Sequence, residues 1–359
     1  MQITSPAGGA AEAFDYVREE RRRRGFLAAA VLAALALCVL DAAAGEVWIA
    51  PADMLHTLLS PETVPRADRV ILHDIRLPRA ATALLAGIAL GFSGGIMQTV
   101  LNNKLASPYT LGLSSAAGLG ASIAITTGIG AAAGIGVYLI PAVSFLATAL
   151  ACYLIFLFGK YFNAKPDTMI LGGIGLSFIF QAVQSLFQYA ATTEQSQNIV
   201  FWLFGSLARA SWVSTGITAA ALLFFIPYIV RDAWKLTALR LGEETAAGLG
   251  IDVKRLRFRA LLAVSFMTGV AVSFIGTIGF IGLVGPHIAR LVVGEDQRYY
   301  LPASGVCGGI LLSLASVVSK TVVPGTIFPI GIITAVVGGP FFLCFLFAKR
   351  RSVIGDGDD

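Results

Sequence analysis

A group of charged side chains lies at residues 239–259, between two long apolar runs. Three acids there are followed by four cations: Glu243, Glu244, Asp252, Lys254, Arg255, Arg257 and Arg259. The two glutamates suit the first turn of a helix, where the positive end of the helix dipole favours acids. Gly248 and Gly250 can end that helix, and Asp252 is a good N-cap for a second one. The pattern predicts two helices joined by a short turn.

Small residues accompany these charges, at Ala246, Ala247, Gly248 and Gly250. Small side chains let another protein approach a helix closely, which makes a docking surface one interpretation of the segment. The alternative is a solvated connector whose cations anchor it at the cytoplasmic side of a membrane. The residues by themselves leave both interpretations open.

A second pattern places Gln181, Gln184 and Gln188 at spacings that share one face of a helix. Glutamines inside a membrane form hydrogen bonds between helices, which would be a purely structural role. The same stripe could form the wall of a water-filled path. We favour the path and keep helix packing as the alternative.

Chemistry that needs clustered nucleophiles or metal ligands is not indicated. The three histidines, His56, His73 and His287, are scattered, so we expect no metal site. Ser177 and His287 form no convincing catalytic pair, and the sequence has no G-x4-GK[ST] phosphate loop. The cysteines lie in apolar runs without CxxC spacing: Cys38, Cys152, Cys307 and Cys344. We therefore predict no catalytic residue and no bound cofactor.

The 21 acidic residues all lie in the termini, in loops or at the edges of apolar runs. Carriers driven by protons or sodium usually need carboxylates or ordered ion sites within the membrane. This distribution indicates that the energy source lies outside the chain. The charged segment at 239–259 is where a partner would supply it.

The composition makes lipid the solvent of most of the chain. Of 359 residues, 56% are hydrophobic and 13% are charged, and the mean hydropathy is +0.79. A soluble domain carries roughly 25% charged residues. A membrane helix needs about 20 apolar residues, so the chain has room for roughly ten of them. The net charge of +5 comes from cations between apolar runs, which indicates topology rather than nucleic-acid binding.

Hydropathy predicts ten membrane spans, with surface helices at 51–60 and 197–208. The spans are 25–40, 80–100, 111–129, 137–158, 169–189, 212–230, 260–280, 281–293, 301–318 and 327–347. The first span follows four arginines and resembles a signal peptide, but the many later spans favour an uncleaved helix. The eighth span is short and contains Gly285 and Pro286.

The distribution of cations predicts the orientation of the chain. When both termini are placed in the cytoplasm, all but six of the 26 lysines and arginines face inward, as the positive-inside rule requires. The six on the outer side are Arg66, Arg69, Arg76, Arg79, Arg209 and Lys320. The segment at 239–259 then faces the cytoplasm.

Six motifs, in order along residues 37–346, resemble the iron-complex and vitamin B12 permease family of bacterial ABC importers. They are RLPRAATALLAGIALGFSGGIMQ (76–98), LASPYTLG (105–112), LGGIGLS (171–177), FWLFGSL (201–207), LGEETAAGLG (241–250) and IGFIGLVGPHIARL (278–291). The last is the most specific of the six. Lys104 departs from the family, which usually has proline after Asn103, and this changes the loop shape expected there.

The resemblance implies an all-α polytopic membrane protein of the ABC type II importer permease class, with about ten transmembrane helices per subunit. It implies a homodimer, or a closely similar heterodimer, with a path along the dimer axis. The implied partners are two copies of a cytoplasmic ATPase and a soluble substrate-binding protein outside. ATP and Mg would bind to the ATPase and not to this chain. Lipid surrounds such a subunit, and no nucleic acid is expected.

The resemblance also assigns roles to particular residues. Coupling to the ATPase falls on Gly242, Glu243, Glu244, Ala246 and Gly250. Docking of the binding protein falls on Arg76, Arg79 and Lys320. Independently of the resemblance, we predict that Gln98, Gln181, Gln184 and Gln188 line the translocation path, the last three because they share one helix face. Motif positions with a structural role are Pro108, Gly112, Gly205, Gly285, Pro286 and His287.

The expected organisation is a single permease domain at 25–348 between cytoplasmic tails at 1–24 and 349–359. Residues 231–259 form what we call the coupling segment. The expected function is the import of a ferric siderophore or similar iron chelate across the bacterial inner membrane. Haem and cobalamin are alternatives within the family. An ion-coupled secondary carrier, a passive channel and an intramembrane enzyme are alternatives from other classes.

Overall fold

The computed structural model describes residues 6–128, 136–161, 166–323 and 325–341, a part of the chain that is helical and contains no strand. A π-helical stretch, Ile71–Arg76, joins two helices so that Arg66–Val100 is continuous. The α-helices are α1 (Pro6–Ala43), α2 (Pro51–Leu59), α3 (Arg66–Val70), α4 (Leu77–Val100), α5 (Leu113–Thr127), α6 (Gly136–Tyr161), α7 (Pro166–Ala190), α8 (Thr193–Leu203), α9 (Trp212–Val230), α10 (Ala233–Arg240), α11 (Glu243–Gly248), α12 (Val253–Ile275), α13 (Ile281–Val293), α14 (Gln297–Thr321) and α15 (Ile330–Phe341).

The predicted spans correspond to helices, which confirms the all-α membrane class. Within the described ranges, seven helices are long and apolar enough to cross a membrane, and α5, α13 and α15 are shorter apolar helices. Each of these ten overlaps one predicted span. The predicted tail at 349–359 lies outside the described residues, and residues 6–24 belong to α1.

The start of α12 shows where hydropathy is a poor guide. The helix begins at Val253 instead of residue 260, because its first turns are charged and extend beyond the apolar run. Asp252 caps it as predicted, since its Oδ1 accepts a hydrogen bond from the backbone nitrogen of Arg255 at 3.0 Å. By contrast, α9 has the predicted bounds at both ends.

The helix α4 lies inside the bundle, in contact with α12, α13 and α14, and most of its residues are buried. Its contact with α14 is made by glycines. A Cβ atom at Gly87 would lie 2.5 Å from the carbonyl oxygen of Gly308, so the two backbones touch directly. A larger residue at either position would force the helices apart, which is why small residues recur at such membrane contacts.

The helix α7 lies at the periphery and buries little of its surface. Its outward side chains include Leu171, Phe178, Ile179 and Leu186, each more than half exposed. Apolar side chains on a spanning helix contact either lipid or another protein subunit. This face of α7 therefore contacts either lipid or a second subunit.

The helices α2 and α8 occupy the segments where short surface helices were predicted. The helix α8 begins at Thr193, before the predicted start, because a capping box forms there. Thr192 Oγ1 accepts from the backbone nitrogen of Gln195 (3.3 Å), and Gln195 Oε1 accepts from that of Thr192 (3.0 Å).

Candidate functional site

The coupling segment folds as α10, α11 and the start of α12. The buried carboxylate of Asp232 holds its first turn, pairing with Lys235 (Oδ1–Nζ 2.8 Å) and Arg259 (Oδ2–Nη2 2.9 Å). Since Arg259 belongs to α12, this cluster ties the segment to the membrane helix that follows it. The apolar side of α10 is buried in contact with α4 and α14. The segment is thus anchored to the bundle.

The helix α11 presents an acidic outer face. Glu243 and Glu244 lie in its first turn and are exposed, and Arg257 of α12 pairs with Glu243 (Nη2–Oε1 2.6 Å). Ala246 is fully buried in the apolar core, so its side chain does not lie on the outer face. This corrects the assignment of Ala246 as a contact residue. The small exposed residues of α11 are Ala247 and Gly248.

Turns and leucines flank α11 on both sides. Gly242 (φ 125°) and Gly250 (φ 77°) make the turns before and after the helix, at backbone angles that other residues rarely adopt. Leu241 is 73% exposed and Leu249 is 60% exposed. Acids, small residues and leucines are therefore all exposed within this short segment. Exposed leucines beside a small residue are what a close protein contact requires.

A cavity of about 830 Å³ opens where the chain is interrupted between membrane helices. It lies among the α4–α5 loop, the end of α8, the α12–α13 junction and the start of α15. The described lining residues carry no charged side chain: Leu105, Ser107, Tyr109, Thr110, Leu203, Phe204, Thr277, Gly279, Phe280, Leu283, Gly331, Ile332, Ala335 and Val336. The wall is therefore mainly apolar with a few hydroxyl groups.

Backbone hydrogen bonds between these interrupted elements hold the cavity wall. The carbonyl of Gly205 accepts from the backbone nitrogen of Ile330 (3.0 Å), and Ser206 N donates to the carbonyl of Ile275 (2.7 Å). Gly205 has φ 70°, and a Cβ there would lie 2.6 Å from the carbonyl oxygen of Thr277. Irregular backbone at membrane depth is tolerated only when the protein satisfies its polar groups in this way.

The other motif positions shape turns and packing. Pro108 and Gly112 lie in the turn before α5, where Gly112 has φ 80°. Gly285 and Pro286 are buried within α13. The ring of His287 lies 6.2 Å, between centroids, from that of Phe341.

The glutamines predicted to line a path do not line this cavity, within the part of the chain that the structure describes. Gln181 donates to Ser115 Oγ of α5 (3.2 Å), and Gln184 is buried beside the same helix. Gln188 is half-buried, and Gln98 is fully buried where it accepts a hydrogen bond from a tyrosine of α14. These contacts match the packing alternative. The path role of the glutamines stays a prediction.

Lys320 is engaged inside the protein. Its Nζ pairs with Asp41 Oδ1 (2.7 Å) and donates to the Asp41 carbonyl (2.6 Å). The lysine side chain is 10% exposed and that of Asp41 is fully buried. This corrects the expectation that Lys320 presents its charge to a partner. Local sequence patterns could not predict this pair, because 279 positions separate the two residues.

The two arginines predicted beside Lys320 lie at the start of α4. Arg76 donates to the carbonyls of Ala43 (2.8 Å) and Val47 (2.6 Å), which closes the turn after α1. Arg79 is half-buried and points its Nη2 toward the carbonyl of Ala208 at 3.5 Å. A guanidinium has five N–H donors, so both side chains keep donors for a further contact.

Sequence reasoning did not identify the residues of the cavity wall. Tyr109, Thr277 and Phe280 lie in loops and helix breaks, which hydropathy treats as connectors. Tyr109 lies in the motif at 105–112 and Phe280 in the motif at 278–291. These two motifs could have indicated the cavity wall. Phe280 also has φ 66°, an angle that an aromatic residue rarely adopts.

Comparison with known proteins identifies what the chain is similar to. Residues 32–348 match the FecCD transport family. The chain is 33% identical to the Fe(3+)-citrate import system permease protein of Bacillus subtilis, covering 92% of this chain and 98% of that protein. It is 34% identical to the vitamin B12 import system permease protein of Salmonella paratyphi A, covering 94% and 99%. A metal-chelate type ABC transporter solved in an inward-facing conformation superposes with a TM-score of 0.78 and 27% identity, covering 90% and 99%.

Proposed function

This chain belongs to the FecCD transport family, and we propose that it imports a ferric siderophore or a similar iron chelate. The coarser function follows from the family: the chain is a multi-span permease subunit of an ABC importer for iron chelates or vitamin B12, and not a catalytic enzyme. ABC importer permeases form dimers and work with an ATPase and a substrate-binding protein. In bacteria they lie in the inner membrane.

The observation that supports a chelate as substrate is the uncharged cavity. Its volume of about 830 Å³ is within the range of roughly 300–1,000 Å³ that small-molecule sites occupy. A path for a bare cation would need rings of charged side chains or carbonyls aimed at the ion. Apolar walls with a few hydroxyls suit a large molecule that wraps its metal.

The partner on the cytoplasmic side of the proposal is the ATPase. The outer face of α11, with Glu244 and Ala247 between the exposed Leu241 and Leu249, would lie in a groove of that protein. ATP and Mg would bind there, since this sequence has no phosphate loop. The anchoring of the coupling segment by Asp232 supports the assignment, because a docked helix must pull on the bundle.

The partner on the opposite side would be the substrate-binding protein, with Arg76 and Arg79 offering their remaining donors to its acids. Lys320 would act indirectly by holding α1 against α14. The second permease subunit, a copy of this chain in our proposal, would cover the exposed face of α7. Both termini would then face the cytoplasm.

The test is uptake into vesicles that contain the permease and its ATPase, with the cognate binding protein added. We expect ATP to drive accumulation of a radiolabelled ferric siderophore, and we expect none when the binding protein is omitted. Cobalamin and haem are assayed in parallel with the same vesicles. Faster uptake of either compound would contradict an iron chelate as the substrate but would still support an ABC importer.

A second arm of the experiment separates the transporter classes. A proton gradient is imposed without ATP, and uptake is measured again. Accumulation driven by the gradient alone would contradict the ABC importer and favour an ion-coupled carrier. Uptake that needs ATP and ignores the gradient supports the proposal.

A further inference from the structure

A partly buried polar cluster connects the coupling segment to the end of α4, with Gln98 and Tyr300 fully buried and Asn102 exposed. We call it the Arg240 cluster; it comprises Arg240, Asn102, Glu295, Arg290, Tyr300 and Gln98. Arg240 is the last residue of α10, next to the turn that leads into α11. Its Nη1 donates to Asn102 Oδ1 (2.7 Å) and its Nη2 to Glu295 Oε1 (3.0 Å). One side chain thus joins the coupling segment to α4 and to the α13–α14 turn.

A second route leads from Arg240 to the same place. Oε1 of Glu295 also lies 3.1 Å from Arg290 Nε, and Arg290 Nη2 donates to the Tyr300 hydroxyl (2.7 Å). That hydroxyl donates to Gln98 Oε1 (3.0 Å). Gln98 precedes Asn102 by about one helical turn. Both routes therefore end at the C-terminus of α4, one on its last turn at Gln98 and the other just beyond it at Asn102.

The last turn of α4 continues into the wall of the cavity. Asn102 has φ 45°, in the left-handed region that asparagine tolerates better than most residues. The loop that follows contributes Leu105, Ser107 and Tyr109 to the cavity. A shift of Asn102 must therefore move part of the wall.

The Arg240 cluster is incompletely paired. Two guanidinium groups share one carboxylate oxygen. Gln98 Nε2 and Glu295 Oε2 are buried and have no hydrogen-bond partner among the described residues. Buried polar groups left unmatched favour any rearrangement that pairs them. A cluster of this kind can adopt a second arrangement when one of its members is displaced.

We propose that Arg240 is a positioning residue that transmits movement of the coupling segment to the end of α4 and so to the cavity wall. The inference rests on the proposed function, because it takes docking of an ATPase on α11 as the source of movement. It adds the residues through which movement of the docked helix α11 would be transmitted to the cavity wall. The link needs the two-pronged geometry of a guanidinium, which lysine cannot reproduce.

The test uses variants at Asn102 that leave the backbone conformation accessible. Asn102→Gly removes the acceptor of Arg240, and glycine adopts positive φ freely. Asn102→Asp keeps an acceptor oxygen at the same place. Both are assembled with the ATPase and the binding protein in vesicles, and the number of substrate molecules imported per ATP hydrolysed is measured. Arg240→Lys is measured beside Arg231→Lys, an exposed arginine of the same segment.

We expect Asn102→Gly to keep ATPase assembly and ATP hydrolysis. The number of substrate molecules imported per ATP hydrolysed should fall about tenfold, since a hydrogen bond to a charged group is lost. Asn102→Asp and Arg231→Lys should stay within about twofold of the original ratio. Arg240→Lys should fall between, because one of two contacts is lost.

Three results would overturn the inference. An unchanged ratio in Asn102→Gly would show that the contact carries no movement. Equal losses in Asn102→Gly and Asn102→Asp would assign the effect to the backbone. Loss of ATPase binding in either variant would show that the cluster only folds the segment. Absence of ATP-driven uptake in the unmodified protein would overturn the proposed function as well, which distinguishes that failure from the other three.

Discussion

The two ends of α14 hold charged clusters of different character. Near its last turn, Lys320 and Asp41 form a buried one-to-one pair that joins α14 to α1. Before its first turn, Arg240 and Arg290 share the single carboxylate of Glu295. Both ends leave buried polar atoms without a hydrogen-bond partner among the described residues, Asp41 Oδ2 at the first and Glu295 Oε2 and Gln98 Nε2 at the second. One cation on one carboxylate has a single pairing, whereas one carboxylate that faces two guanidinium groups can pair with either of them. The comparison separates a static end of the bundle from one that can move.

The largest expected effect tests the static end. Lys320→Met leaves the carboxylate of Asp41 buried without its partner. Removing one member of a buried ion pair costs about 3–5 kcal/mol. We expect a large fall in the melting temperature of the purified subunit in detergent. Size-exclusion chromatography of heated samples measures that temperature.

The control for this prediction is the double change Asp41→Asn with Lys320→Met. It removes both charges, so most of the lost stability should return. Arg66→Met, at an exposed position, should have no measurable effect. If Lys320→Met melted like the original protein, the pair would not be the junction described here.

The next effect tests the movable end through its proposed docking surface. Ala247→Arg places a bulky charge on the exposed side of α11. A charge buried without a partner in an interface costs several kcal/mol, so we expect ATPase affinity to fall at least about thirtyfold. Surface plasmon resonance with the solubilised subunit measures its dissociation constant for the ATPase.

A matched variant one residue away sharpens this result. Ala246→Arg forces the charge into the apolar core, so it should lower the melting temperature before any effect on binding is considered. Ala247→Arg should leave that temperature unchanged. If the two variants exchanged these phenotypes, the outer face of α11 would be wrongly assigned.

A smaller effect concerns the glutamine stripe, which lies on α7 and belongs to neither charged cluster. After the native cysteines are replaced, single cysteines at Gln181, Gln184 and Gln188 are treated with a small water-soluble thiol reagent. Contacts with α5 predict slow reaction at Gln184 and faster reaction at Gln188. If the stripe lines a path, all three rates should change with an ATP analogue. Rates that ignore the nucleotide would leave helix packing as its role.

The smallest expected effect is a pH dependence at the movable end. Burial alone would raise the pKa of Asp296, but hydrogen bonds from Arg298 and the charges of Arg298 and Arg23 outweigh it and hold that pKa below its ordinary value. A carboxyl whose folded-state pKa is depressed stabilises the fold above its unfolded value near 3.9, and the benefit is lost as pH falls through the folded pKa.

Melting temperatures between pH 6 and pH 3 test this prediction. Asp296→Asn should show a smaller loss at acid pH than the original chain. The side chain also caps α14, accepting from Arg298 N at 3.1 Å, and asparagine keeps an oxygen for that bond. Identical acid profiles for the two proteins would rule out a contribution from this carboxyl.

The fold was predictable where one physical effect dominates. Long apolar runs identify membrane helices because lipid excludes everything else, and α9 matches its predicted bounds. Local capping rules placed Asp252 correctly, since the bond it makes spans three residues. The turn between α11 and α12 was predictable for the same reason.

The site was less predictable because its contacts are long-range. Arg240 and Asn102 are separated by 138 positions, and no local sequence pattern connects them. Ala246 was assigned to a contact surface, although burial depends on which face of a six-residue helix meets the bundle. The cavity arises from breaks in several helices, and hydropathy carries no information about how breaks assemble.

The glycine contact between α4 and α14 has a mechanical consequence. Side chains that separate most helices can change rotamer and absorb a small displacement, but at Gly87 and Gly308 backbone rests on backbone. Such a contact is stiff. The 24 residues of α4 form a rod about 36 Å long, at about 1.5 Å per residue. A push at one end of this rod reaches the other with little loss, so α4 behaves as a lever with α14 as its fulcrum.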